Sequence, residues 1–110
     1  MGGTMLIIPQ CKNFDDEKGH PAGGNVSGNM LDIVWQNGPL GRGEKREEPN
    51  GAFVESVIYA AKQRIEYYQT KFACRENALA ITKLDEALHW LNARTSRREE
   101  AGTEGTHEAD

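Results

Sequence analysis

The stretch "FACRENALAITKLDEALHWLNARTSRR", Phe72–Arg98, decides the fold. Ile81, Leu84, Leu88 and Leu91 recur at intervals of three and four, the period of one face of an α-helix. Ala78, Ala80 and Ala87 interleave small side chains that let a second helix come close. The "FACRE" segment has room only for a tight connection, so the chain before it must lie alongside. Upstream, Val54, Val57, Ile58, Ala61, Ile65 and Tyr68 repeat the same spacing, and the helix they predict runs to about Gln69 or Lys71. Asn50 is its expected N-cap, with Glu55 near the positive end, and Gly102 is the expected stop of the second helix. Two striped helices joined by a short turn pack antiparallel as an αα-hairpin. At about 1.5 Å per residue they are roughly 30 and 40 Å long.

In "LDIVWQ", before the first helix, Leu31, Ile33 and Trp35 alternate with Asp32, Val34 and Gln36, which predicts a half-buried strand. Asn37-Gly38-Pro39 ends it as a turn. "LGRGEKREEP" reads as a charged loop or the return of a hairpin, with Arg42 and Arg46 as solvated charges more readily than ligand contacts. Residues 1–29 read as an arm. "TMLIIPQC" offers one short strand that Pro9 confines to an edge, and "NFDDEKGHPAGGNVSGN" reads as a solvated loop. The expected class is α+β: a small N-terminal antiparallel sheet followed by a long antiparallel two-helix hairpin. The segments are the arm at 1–29, the strand and turn of the sheet at 30–49, the hairpin at 50–102 and a tail at 103–110.

A chain of 110 residues holds one domain, and 37% apolar content with a mean hydropathy of -0.70 makes its packed part smaller than its length. A two-helix hairpin covers one side of each stripe, and Tyr59, Tyr67 and Trp90 add further apolar surface. Self-association follows as the expected remedy. A net charge of -4 and a pI near 5.4 argue against a binder of polymeric nucleic acid, which needs a broad basic field, but leave room for a small anion. No apolar run approaches the roughly 20 residues of a membrane span, and "MLII" is too short for a secretory segment. Cys11 and Cys74 are therefore read as free thiols of a reducing cytosol.

Catalysis finds little support. His20, His89 and His107 have no metal-ligand spacing with each other or with either cysteine, and Asp15, Asp16 and Glu17 have no evident partners for a metal. Cys74, near a helix start, has no histidine beside it in sequence and reads as packed or inert, and the GTEGT stretch lacks the lysine of a phosphate-binding loop. No enzyme, catalytic residue, cofactor or metal is expected. Binding finds more. From Ala87 to Arg98 there is no acidic residue; Arg94 and Arg98 share a face at i and i+4, and Arg97 lies one step round, near Thr95 and Ser96. Guanidiniums suit phosphate, although cations at a helix C-terminus also complement its dipole. "AGTEGTH" offers backbone N–H groups and hydroxyls to an anion, or is a frayed end.

The run "C-R-E-N-A-x-x-I-T-K-L-x-E-A-L-x-W-L", followed by "R-T-x-x-R" and "E-G-T-H", resembles the helical hairpin shared by the phage Thoeris anti-defence and anti-CBASS sponges. With "IVWQNGP" and "NGAFVESVI" the resemblance extends over residues 30–107. The strand before the hairpin favours the Thoeris branch. The resemblance implies a non-catalytic sponge that sequesters cyclic nucleotide immune signals, of the glycocyclic ADP-ribose type or cyclic di- and trinucleotides, in the cytoplasm of the infected bacterium. It implies self-assembly as a dimer or as a hexamer, a trimer of dimers, with signals held between subunits. It places ligand contacts on Tyr67, Asn77, Arg94 and Arg98. It places a second, trinucleotide site on Gly105 and Thr106, with Arg97 standing in for an arginine that relatives often carry just before; here Ala101-Gly102 occupies that place, so trinucleotide binding is expected to be weak or absent.

Spacing adds an argument of its own. Asn77 and Arg94 are 17 residues apart on one helix, about 25 Å along its axis. One chain cannot bring both to one small ligand, whereas two antiparallel neighbours can. The competing reading is a structural or protein-interaction hairpin whose arginines meet an acidic partner helix.

Overall fold

The computed structural model describes residues 8–101, with side chains described as far as Arg98. Its elements are strands β1 (Gln10–Asp15), β2 (Pro21–Gly28) and β3 (Leu31–Val34), a 3-10 turn at Gly43–Lys45, and helices α1 (Val54–Lys71) and α2 (Arg75–Ala101). The class is α+β, with a three-stranded antiparallel sheet in the order β1-β2-β3 ahead of the hairpin.

The sheet begins earlier in the chain than the sequence suggests. Gln10 and Cys11 of the expected edge strand open β1, and the segment read as a solvated loop supplies the end of β1 and all of β2, paired from Gln10 with Ser27 to Asp15 with Pro21 and bulged between Asn13 and Asp15. The composition of β2, "PAGGNVSG", has little β-propensity, so local preference hides it. Tertiary pairing overrides that preference. Asp16 ties the β1–β2 turn: its Oδ1 accepts from the backbone N–H of Lys18 at 2.8 Å and of His20 at 2.9 Å. Gly24 must lack a Cβ, because one would run into the carbonyl of Lys12 on the neighbouring strand. Val26, between Cys11 and Ile33, is the single buried apolar side chain among the described residues. The β2–β3 turn holds Asn29 at φ 54° and Met30 at φ 70°, a two-residue hairpin connection with both central residues left-handed. The residues read as an edge strand before Pro9 lie mostly outside the described residues.

Asn50 is not the N-cap of α1. The helix starts at Val54 after Phe53, which makes no side-chain cap, and Asn50 turns back to the end of the sheet instead. Gln36 and Asn37 present competing backbone and side-chain partners there, and they win Asn50. The helical seam follows the expected period. Val57, Ile58 and Ile65 of α1 are half-buried, as are Ala80, Ile81, Leu84, Ala87, Leu88 and Leu91 of α2. Lys62 crosses the seam to Asp85 at 2.9 Å, and this hydrogen bond with the carboxylate raises its pKa against the opposing desolvation. Gln69 closes the hairpin turn, accepting from the Cys74 N–H at 3.0 Å and donating to the Cys74 carbonyl at 3.2 Å. Cys74 is exposed, not packed; its Sγ lies 3.4 Å from the Asn77 N–H it caps, and both cysteines are free thiols. The expected stop at Gly102 lies outside the described residues.

Sheet and hairpin are nearly separate bodies. Strands approach strands and α1 approaches α2, but no strand backbone packs on either helix. The join is one parallel bridge between Trp35 and Ala52. The molecule is correspondingly long, 52 × 29 × 21 Å with a radius of gyration of 17.1 Å, against about 13 Å for a compact chain of 100 residues.

Candidate functional site

The site is built from the bridge upward. Gln36 N–H donates to the Ala52 carbonyl at 2.9 Å, and Ala52 N–H to that of Val34 at 2.7 Å. Next to this bridge, Asn50 accepts from the Asn37 N–H at 2.8 Å and donates to the Asn37 carbonyl at 3.1 Å. Gln36 accepts from the Asn50 N–H at 2.9 Å and donates to the Gly38 carbonyl at 3.1 Å. These amides close the neck of the 38–49 loop. Within the loop, Glu47 N–H donates to the Leu40 carbonyl at 2.6 Å, folding the charged segment over the last turns of α2.

Between that loop, the start of α1 and the end of α2 lies an open cleft of about 760 Å³, a volume within the usual range for small-ligand sites. Pro39, Leu40, Pro49 and Phe53 give it apolar walls, while Arg46, Arg94 and Arg98 share its lining with Glu47, Glu48 and Glu55. Arg98 keeps only 8% of its surface exposed and is the one buried charged residue among those described, whereas Arg94 is exposed. Thr95, between them on the same face, donates its hydroxyl to the Leu91 carbonyl at 3.2 Å. The cleft thus joins three guanidiniums, suited to phosphate oxygens, with carboxylates and apolar walls that suit a sugar and a base.

The other expected contacts lie elsewhere. Tyr67 belongs to a cation–aromatic cluster at the turn end of the hairpin. The Arg64 guanidinium sits 4.9 Å from the Tyr67 ring centre and 4.8 Å from that of Tyr68, and Lys71 Nζ lies 5.6 Å from Tyr67. Arg64 Nε also donates to the Tyr68 hydroxyl at 3.0 Å. Asn77 is half-buried in the first turn of α2. Within one chain, Tyr67 and Asn77 take no part in the cleft that holds Arg94 and Arg98. Arg97 is exposed and lies outside the cleft lining, and Gly105 and Thr106 lie outside the described residues. Sequence reasoning placed Arg46 as a solvated charge ahead of a ligand contact, and it missed Glu55 as a cleft residue. A loop arginine carries no period that would assign it a face, and Glu55 reads as an ordinary first-turn acid.

Comparison with known proteins places these features in a family. Residues 29–96 match the family described as "Acb2/Tad1, hairpin domain". The matched span takes in β3, the clasped loop, α1 and α2 as far as Ser96, so it includes Arg94 and stops short of Arg98. A protein of Bacillus phage SBSphiJ7 named "Thoeris anti-defense 1" is 39% identical over 114 aligned positions, covering 94% of this chain and 78% of that protein. With residues 29–96 matched by the family and a relative 39% identical across 94% of its length, the chain belongs to the Acb2/Tad1 hairpin-domain family.

Proposed function

We propose that this protein is a phage sponge that counters Thoeris defence by binding a cyclic nucleotide immune signal, of the glycocyclic ADP-ribose type, and holding it intact. The observation that carries the reading is the pairing of Arg94 with the buried Arg98 in one cleft large enough for a nucleotide. An arginine held at 8% exposure has given up most of its hydration, so an anion that shares it with its existing partners has little water to displace. The relative named for anti-Thoeris action supports the biological direction. The site uses no catalytic group. Guanidiniums bind phosphate without activating water, and the binding free energy alone withdraws the signal from its receptor. The place of action is the cytoplasm of the infected host; no helix among the described residues is long and apolar enough to cross a membrane.

The complete pocket forms between subunits. Tyr67 and Asn77 mark one end of the hairpin and Arg94 and Arg98 the other, so an antiparallel neighbour brings the aromatic and amide of one copy to the cleft of the next. The thin interior supports such an assembly, a dimer or a hexamer made of three dimers. Trp90 is 70% exposed and Leu79 46%, and both lie on the face of α2 turned away from α1. A trinucleotide site on Gly105 and Thr106 is expected to be weak, because Ala101 stands where relatives often have arginine.

Calorimetric titration with glycocyclic ADP-ribose isomers and cyclic di- and trinucleotides tests the reading. Recovery of the ligand unchanged after heat denaturation is expected; a converted product would mean an enzyme. Arg94→Ala is expected to weaken signal binding roughly ten- to hundredfold, the worth of one charge-assisted contact, with helicity and assembly size kept. Unchanged affinity in that variant would reduce Arg94 and Arg98 to helix-end cations.

A further inference from the structure

Charge and construction single out the 38–49 loop. The chain carries a net charge of -4, yet this cleft joins Arg46 to Arg94 and Arg98. Arg94 and Arg98 stand one helical turn apart, about 6 Å, a separation that suits the oxygens of one phosphate. Arg46 reaches the same cleft from the opposite wall. The wall itself is braced: the Asn50–Asn37 and Asn50–Gln36 hydrogen bonds close its neck, and the Arg42–Lys45 and Gly43–Arg46 backbone hydrogen bonds, each 3.1 Å, wind the segment that carries Arg46. A guanidinium on a braced loop loses less conformational freedom when it binds than one on a slack loop.

We propose that Arg46 is a further anion-binding residue of this site, and that with Arg94 and Arg98 it forms a three-guanidinium clamp for two linked phosphates rather than one. The inference rests on the sponge reading only in taking this cleft as the place where the signal binds. Glu47, Glu48 and Glu55 sharpen the choice. In the empty cleft their charges offset the arginines. An anion must therefore engage several guanidiniums at once to displace that balance, which a diphosphate does and a single phosphate does not. The same carboxylates accept hydrogen bonds from ribose hydroxyls flanking the diphosphate. Asn50 is a positioning residue: it touches no ligand and acts by fixing the wall from which Arg46 projects.

The test uses the full-length protein and three probes: inorganic pyrophosphate, orthophosphate and a glycocyclic ADP-ribose. Wild type is expected to bind pyrophosphate more tightly than orthophosphate. Arg46→Ala and Arg46→Gln are expected to weaken pyrophosphate and the cyclic signal roughly tenfold or more while leaving orthophosphate nearly unchanged. Arg46→Lys recovers only part of the loss, since a point charge lacks the bidentate fork. Asn50→Ala is expected to lower pyrophosphate affinity and erase the difference between arginine and lysine at position 46, which a mere loss of stability would not do. Thermal melts of each variant establish that it is folded. Equal pyrophosphate affinity in wild type and both neutral variants overturns the proposal, as does a wild type that ignores pyrophosphate. Signal binding that is indifferent to Arg46 sinks the clamp and spares the sponge. Arg46-dependent pyrophosphate binding with no cyclic signal bound sinks the sponge and spares the clamp.

Discussion

Met30 stands in a conformation that favours glycine, at φ 70° with its side chain wholly in solvent. A left-handed residue with a Cβ costs about 1–2 kcal/mol, partly offset in a glycine variant by greater freedom of the unfolded chain. Met30→Gly is therefore expected to stabilise the protein by about 0.5–1 kcal/mol in urea titration, with signal affinity unchanged. Lys62 makes a different kind of contribution. Its hydrogen bond to Asp85 raises its pKa in the folded state above the ordinary 10.5. The stabilisation is thus fully present below that value and disappears as pH rises through the higher folded value. The stability gap between wild type and Asp85→Asn should be constant through neutral pH and close in strongly alkaline buffer; a gap that widens there would refute the assignment. Among single side chains, those with a helical period were legible in advance. Arg94 and Arg98 share a face because four residues is about one turn. The same rule gives no purchase on Arg46, whose position depends on hydrogen bonds made by Gln36, Asn37 and Asn50.

The hairpin was legible because both stripes repeat over many turns and the connection between them is short. The first two strands were not. Glycines and asparagines of β2 are tolerated where neighbouring backbones come close, as Gly24 is against Lys12, and this closeness is a property of the pairing that no local pattern announces. The start of α1 was misplaced for a related reason, since Asn50 has the chemistry of a cap but a better use in the loop neck. Gly51 offers a test of that neck. A Cβ there would meet the Trp35 carbonyl carbon and oxygen at 2.5 Å. Gly51→Ala is expected to cost about 1–3 kcal/mol, the usual penalty of overpacking. It should also weaken signal binding beyond what Met30→Gly does, because it disturbs the bridge from which the cleft wall hangs. Hydrogen exchange should locate the damage at Gln36 and Ala52. Protection unchanged at both would show that the bridge tolerates the methyl group.

Taken as a body, the chain hides little from water. Gly24, Val26 and Arg98 are its only buried residues among those described, and Phe72 remains 84% exposed. Such a surface predicts association, and light scattering at micromolar concentration should give a dimer or larger; a monomer would defeat the intersubunit pocket. In a Trp35→Phe background, the emission of Trp90 should shift to the blue as the assembly forms, if the outer face of α2 is what the neighbour covers. The narrow join between sheet and hairpin has a further consequence. Two parts tied by one bridge, with no shared interior, can lose their structure one at a time, so opening the strands need not melt the helices. They can also change one at a time. Insertions, shortened strands or a different sheet ahead of Trp35 would leave the helical seam untouched, and the cleft would feel them through the Ala52 hydrogen bonds to Val34 and Gln36. The hairpin is in that sense portable, and the sheet a grip that can be exchanged without altering it.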